Sequence, residues 1–157
     1  MARLRSIRHR LRRFAQIGVR QRALLIEAAL LLLAARAALL AVPFPRLARR
    51  LGDFVPPSDP RAARSNERSE AQARLAEEVS WAVTRAAVHV PFDAVCLPQA
   101  MAARVMLKRR GIASVMHFGA AKGGDKPLDT HAWLDAAGTQ VTGYPVAEKF
   151  AEIACFV

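Results

Sequence analysis

The sequence predicts an α+β fold, and three observations lead there. Helix-forming residues dominate the first two thirds of the chain, and strand-like segments with a tight Ala137-Gly138 turn fill the last third. The two kinds of segment also do not alternate, which argues against a βαβ architecture and for helices packed on an antiparallel sheet.

Taken in order, Arg20 to Leu40 reads as a helix: Leu, Ala, Ile and Arg dominate it, and neither Gly nor Pro interrupts it. Val42-Pro43-Phe44-Pro45 stops it, because proline has no N–H to donate and disfavours helix in the residue before it. Arg46 to Leu51 is a short basic helical turn ended by Gly52, and Asp53 to Pro60 is a proline-rich loop. Asp59 ahead of Pro60 is a good helix start, an N-cap acceptor followed by a residue pre-set for the first helical position. The helix that follows is expected to run to about His89, with Leu75, Val79, Ala82 and Ala86 on one face and Pro91 closing it.

A further helix begins near Cys96 and Leu97. Pro98 sits in its first turn, Lys108, Arg109 and Arg110 fill its last, and Gly111 is a left-handed C-cap. It is apolar almost all round and so belongs in the core. Ile112 to Phe118 and Thr130 to Ala136 read as strands, separated by a loop over Gly119 to Leu128. Ala137-Gly138 turns the chain into a return strand, Thr139 to Thr142.

The net charge of +11 belongs to the start of the chain. Residues 1–50 hold twelve Arg against Glu27 alone, whereas residues 51–157 carry twelve basic and twelve acidic side chains. The chain divides accordingly into a basic segment (1–22), an apolar helix with its proline-rich connection (23–60), and a balanced domain (61–157). Nothing in this pattern points to specific nucleic-acid recognition. Two cysteines make no disulfide framework, which fits a reducing, cytoplasmic compartment. Ala23 to Val42 is too long for a signal-peptide core, and no small-residue cleavage site ends it. It is long enough to span a bilayer, but Glu27 and Arg36 inside it would each cost roughly 2.5–3.5 kcal/mol near the bilayer centre. A core or interfacial helix is the expectation, with peripheral contact to anionic lipid open to the Arg-rich start.

Cys96 stands at the N-terminal end of the buried helix, where unpaired N–H groups and the helix dipole favour a thiolate. On the strand 130–136, alternation sets His131, Trp133 and Asp135 on one face and Ala132 and Leu134 on the other. Taken singly, Cys96 also reads as a small buried apolar residue and His131 as a satisfied, half-buried imidazole. Together they make a thiol-protease couple, with the strand histidine as base and the helix-tip cysteine as nucleophile. Trp133 would stand beside the imidazole, shielding the couple, lining a substrate groove or simply filling the core. His89 and His117 have no Cys or acid at metal-ligand spacing, so no metal or other cofactor is expected.

Three blocks carry a resemblance: Cys-Leu-Pro-Gln-Ala at 96–100, Lys-Arg-Arg-Gly-Ile at 108–112, and His-Ala-Trp-Leu-Asp at 131–135 followed by the Gly138 turn. They resemble the lasso-peptide biosynthesis proteases, a transglutaminase-like family of cysteine peptidases. The likeness implies a transglutaminase or papain-like core, with the Cys96 helix packed on a small antiparallel sheet, and residues 61–157 as the protease domain. It implies removal of the leader from a ribosomally made precursor, with transfer to an amine through the same thioester as the enzymatic alternative. It also implies a cyclase similar to asparagine synthetases as partner. Some relatives carry a leader-binding module in the same chain; residues 1–60 do not resemble it, so a separate leader-binding protein is expected. The family commonly has an Asp twelve residues after the histidine, where this chain has Gly143. The group that orients His131 is left open among a backbone carbonyl, Tyr144, Asp125 and Asp129. Asp135, four residues along the strand, lies roughly 13 Å away, too far to serve directly.

Overall fold

In the computed structural model, residues 17–66, 69–122 and 128–157 are described. Helix α1, Val19–Ala41, is built from the uninterrupted Leu/Ala run and ends where Val42 donates its N–H to the Ala38 carbonyl at 2.9 Å. It is long and apolar enough to cross a membrane by length and composition. Here it buries a single row, Leu24, Ala28, Leu32 and Ala35. Glu27, inside the run, is not left unpaired: Arg110 reaches it at 2.7 Å and Arg109 at 3.1 Å. The Arg110 bond, ahead of the opposing effect of burial, holds the Glu27 carboxyl below its ordinary range.

Helix α2, Phe44–Leu51, starts on Pro45 and turns its Leu47 and Leu51 inward. Two residues, Phe54–Val55, then form strand β1. Asp59 caps as expected, its carboxylate accepting the Arg61 N–H at 2.8 Å. The single long helix expected after it is instead two pieces, a 3₁₀ helix at Pro60–Asn66 and helix α3 at Glu70–Ala87. Buried Ser65 marks the break. Its carbonyl accepts the Gly138 N–H at 2.6 Å, so the hairpin turn docks on the 3₁₀ piece. Val79, Ala82 and Ala86 share the buried face of α3, whereas Leu75 lies only half-buried beside it.

Helix α4, Cys96–Arg109, is lined by Pro98, Ala100, Met101, Ala102, Ala103, Met106 and Leu107, all buried. Gly111 takes the left-handed conformation (φ 68°). The N–H groups of Gly111 and Ile112 return to the carbonyls of Lys108 and Leu107, a paired C-cap that closes the helix. Ile112 to Ser114 therefore serve the cap and the crossover, and strand β2 runs later than expected, at Val115–Ala121.

Strands β3 (Asp129–Ala136) and β4 (Thr139–Thr142) form the expected hairpin, and Ala137 and Gly138 both have positive φ, the signature of a two-residue primed turn. A strand the sequence did not announce, β5 (Ala151–Phe156), enters between β1 and β2. The sheet order is β1-β5-β2-β3-β4, antiparallel throughout. Helices α3 and α4 cover one face of it and α1 packs on those two helices, with Met116, Leu134, Ala136, Val141 and Phe156 pointing into the shared core. Helices α1 and α2 contribute Leu24, Ala28, Leu32, Ala35, Leu47 and Leu51 to the same core as α3 and α4. The Arg-rich residues 1–16 lie outside the described residues.

Candidate active site

Arg104 fixes the direction of α4 against the sheet. Its guanidinium donates to the carbonyls of Ser114 (2.8 Å) and Phe156 (3.0 Å), pinning the second half of the helix to the start of β2 and the end of β5. Val115 pairs with Asp135, so this is also the end of the sheet where β3 finishes. Running back from Arg104, Cys96 lies about 12 Å away along the helix axis. Running back from Asp135, His131 lies about 13 Å away along β3. Cys96 and His131 thus each lie roughly one such span from the Arg104 and Asp135 end, one on α4 and the other on β3.

The expected alternation on β3 holds. Leu134 and Ala136 face the helices, while His131 and Trp133 stack in the opposite row. Cys96 is half-buried at the tip of α4, and no hydrogen bond joins it to His131 among the described residues. Helix α4 packs on the Leu134 and Ala136 face of the sheet, and among the described residues no contact brings the Cys96 thiol to the His131 imidazole.

What holds His131 is clear. Its Nε2 lies 2.6 Å from the Gly143 carbonyl oxygen. A carbonyl only accepts, so Nε2 carries the hydrogen and Nδ1 keeps its lone pair, the tautomer a general base needs. Of the candidate orienting groups, the backbone carbonyl is the one in place. Tyr144 instead donates to Asp135 at 2.7 Å, Asp129 accepts from Lys149 at 2.6 Å, and Asp125 lies outside the described residues. Gly143 can bring its carbonyl so close because it has no side chain. At φ 84°, a Cβ would stand 2.4 Å from the Ala132 oxygen and 2.8 Å from the Trp133 Cα.

Two aromatic faces fix the ring plane. Phe150 stacks on His131 at 5.2 Å between centroids, and Trp133 at 6.0 Å. Lys149 lies over the Phe150 ring and pairs with Asp129, tying the 143–150 segment to the start of β3. Trp133 is buried, and its ring sits between His131 and His117, the latter 5.5 Å away and nearly parallel. Gly119 makes the room, since a Cβ there would meet the indole at 2.8 Å.

Beyond Trp133 lies a polar cluster that sequence spacing did not reveal. Strand pairing sets His117 opposite Cys155, and Glu152 reaches both: its carboxylate is 2.6 Å from His117 Nδ1 and accepts from the Cys155 thiol at 3.2 Å. Asp135 stands 3.3 Å from His117 Nε2. Burial works against a charged His117, but the Asp135 and Glu152 carboxylates outweigh it and push its pKa up. Burial, helped by the Glu152 bond, pushes the Cys155 thiol up to about 12. Cys155 is therefore a poor nucleophile, and Cys96 is the thiol left for chemistry. His117, Glu152 and Cys155 offer ligand atoms within 4.8 Å of one another and could hold a divalent cation, a grouping created by the β2–β5 register and not by spacing along the chain. As they stand, Glu152 joins the other two by hydrogen bonds, and the buried His117 Nε2, within ion-pair distance of Asp135, has no hydrogen-bond partner among the described residues.

Residues 38–155, more than half of the chain, match the transglutaminase-like superfamily. The chain belongs to that superfamily. The match runs from the end of α1 to β5, so the helix with Cys96 at its tip and the His131 strand both fall inside it. Transglutaminase-like domains include cysteine peptidases and acyltransferases, which share a thioester intermediate. Comparison with curated proteins and with solved structures finds no match.

Proposed function

We propose that this transglutaminase-like domain is a cysteine peptidase of the cytoplasm that removes the leader from a lasso-peptide precursor. The observation that carries the reading is the locked His131 imidazole, hydrogen on Nε2 and lone pair on Nδ1, in a chain whose half-buried Cys96 opens helix α4. In the proposed reaction Nδ1 accepts the Cys96 proton and the thiolate attacks the carbonyl of the last leader residue. The first N–H groups of α4 steady the oxyanion. The imidazolium returns its proton to the departing amine, and water, activated by His131, releases the leader as a free acid. No cofactor enters this sequence.

The resemblance of the 96–100, 108–112 and 131–135 blocks to lasso-peptide proteases supports the substrate class. It also supports two partners, a separate leader-binding protein and an asparagine-synthetase-like cyclase acting on the product. The test is incubation of the purified chain with the precursor, with and without the leader-binding protein, read by mass spectrometry beside Cys96→Ala and His131→Ala. Loss of a leader-sized mass that disappears in both variants supports the peptidase. A new isopeptide in place of a free acid would assign amine transfer instead. An intact precursor with the partner present sinks both, and leaves an adaptor role in peptide maturation.

A further inference from the structure

The row of α1 opposite its buried face is apolar from end to end. Ala23, Ile26, Leu30, Leu33, Ala37 and Leu40 recur at three- and four-residue steps and are all exposed, Leu30 by 61% and Leu40 by 74%. A helix on a protein surface normally turns charged or polar residues to water, and this row has none. Phe44, at the start of α2 and 44% exposed, adds to it beyond Leu40.

The charge flanking the row along the chain is almost all basic, although Arg20 is paired with Glu78 of α3 at 2.7 Å. Arg46, Arg49 and Arg50 are exposed on α2, and residues 1–22, leading into α1, hold eight Arg and no acid. Glu27, the sole acid among the first fifty residues, is turned aside and paired with Arg109 and Arg110. The opposite row cannot be released to lipid without dismantling the core, since Leu24, Ala28, Leu32 and Ala35 are packed within it. Spanning is therefore disfavoured, whereas lying flat on a surface exposes only the row already free.

We infer that α1 is a docking face for the surface of an anionic bilayer, its Ile26–Leu40 row entering the acyl boundary and the flanking arginines meeting lipid phosphates. The inference is independent of the peptidase reading. An apolar row flanked along the chain by arginines fits that surface better than a second copy of the chain, which would bring like charges together.

The test is sedimentation of the full chain with phosphatidylcholine vesicles, with and without about 30 mol % phosphatidylglycerol, at low and high salt. Wild type is compared with Leu30→Glu and Leu33→Glu, both at exposed positions, with circular dichroism to establish folding and light scattering to establish mass. The expected result is binding to the anionic vesicles only, weakened severalfold by salt and about tenfold or more by either substitution. Equal binding to neutral vesicles, or variants that bind like wild type, would overturn it. So would a protein that ignores both vesicles and forms a dimer or binds the leader-binding protein through this row.

Discussion

His131 Nε2 and the Gly143 carbonyl oxygen lie 2.6 Å apart, so a main-chain dipole occupies the place where a carboxylate commonly orients a catalytic histidine. The carbonyl sets the tautomer but stabilises the imidazolium less than a full negative charge would. Its position depends on glycine. In Gly143→Ala the new methyl would run into the Ala132 and Trp133 backbone at a left-handed φ, costing about 2–4 kcal/mol. A fall of roughly 5–15 °C in Tm is expected by calorimetry. Gly143→Asp is expected to fare no better, and a variant as stable and active as wild type would show that the close approach is dispensable.

The two thiols should behave oppositely. Cys155 is wholly buried and its pKa is pushed up to about 12 by burial and the Glu152 bond, leaving on the order of one thiolate in 10⁴ at pH 8. Cys96 is half-exposed at a helix tip. Iodoacetamide should therefore modify the folded protein once, at Cys96, and a second time only in denaturant. Peptide mapping that finds Cys155 labelled as fast as Cys96 would remove the case for Cys96 as the sole reactive thiol.

The helices and the alternation of β3 were legible because they rest on local signals. Asp59-Pro60 and Gly111 mark helix ends through backbone chemistry that needs no tertiary partner, and period-two alternation alone sorted His131, Trp133 and Asp135 onto one face. Position 143 showed only that an expected acid was missing. The carbonyl that replaces it becomes visible once Gly143 is seen packed on Ala132. The His117, Glu152 and Cys155 cluster was hidden for a similar reason. It depends on β5, a six-residue strand whose pairing shifts register between Phe118 and Gly119, and no spacing rule carries that shift. The break between the 3₁₀ piece and α3 was likewise decided at a distance, by the hairpin turn that binds the Ser65 carbonyl.

His117 should make stability depend on pH. It faces Glu152 and Asp135, with the Cys155 thiol and the Tyr144 hydroxyl as the neighbouring protonated groups. Its folded-state pKa is raised, so the charged ring stabilises the fold fully below the unfolded value of about 6.5. That contribution is lost as pH climbs through the higher folded value. Wild-type Tm should decline from about pH 6 toward pH 9, and His117→Gln should be less stable at low pH with a flatter profile. An equally steep decline in His117→Gln would assign the dependence to another group.

Trp133 joins the two histidines, and its substitution separates packing from catalysis. The indole is buried, wedged over Gly119 and stacked on both imidazoles. Trp133→Ala removes the whole wedge and should cost about 3–5 kcal/mol, whatever the ring does for catalysis. Trp133→Phe is the informative change. It keeps an aromatic face for His131 but loses the wider indole that also reaches His117, so the core should survive with a loss nearer about 1–2 kcal/mol. If Trp133 steadies the base, kcat should fall several-fold while KM for the precursor stays within about twofold, because the buried ring offers little surface to substrate. If Trp133 lines the groove, KM should rise while kcat holds. Steady-state cleavage of the precursor by the phenylalanine variant, with its folded fraction checked by near-ultraviolet circular dichroism, decides between the two.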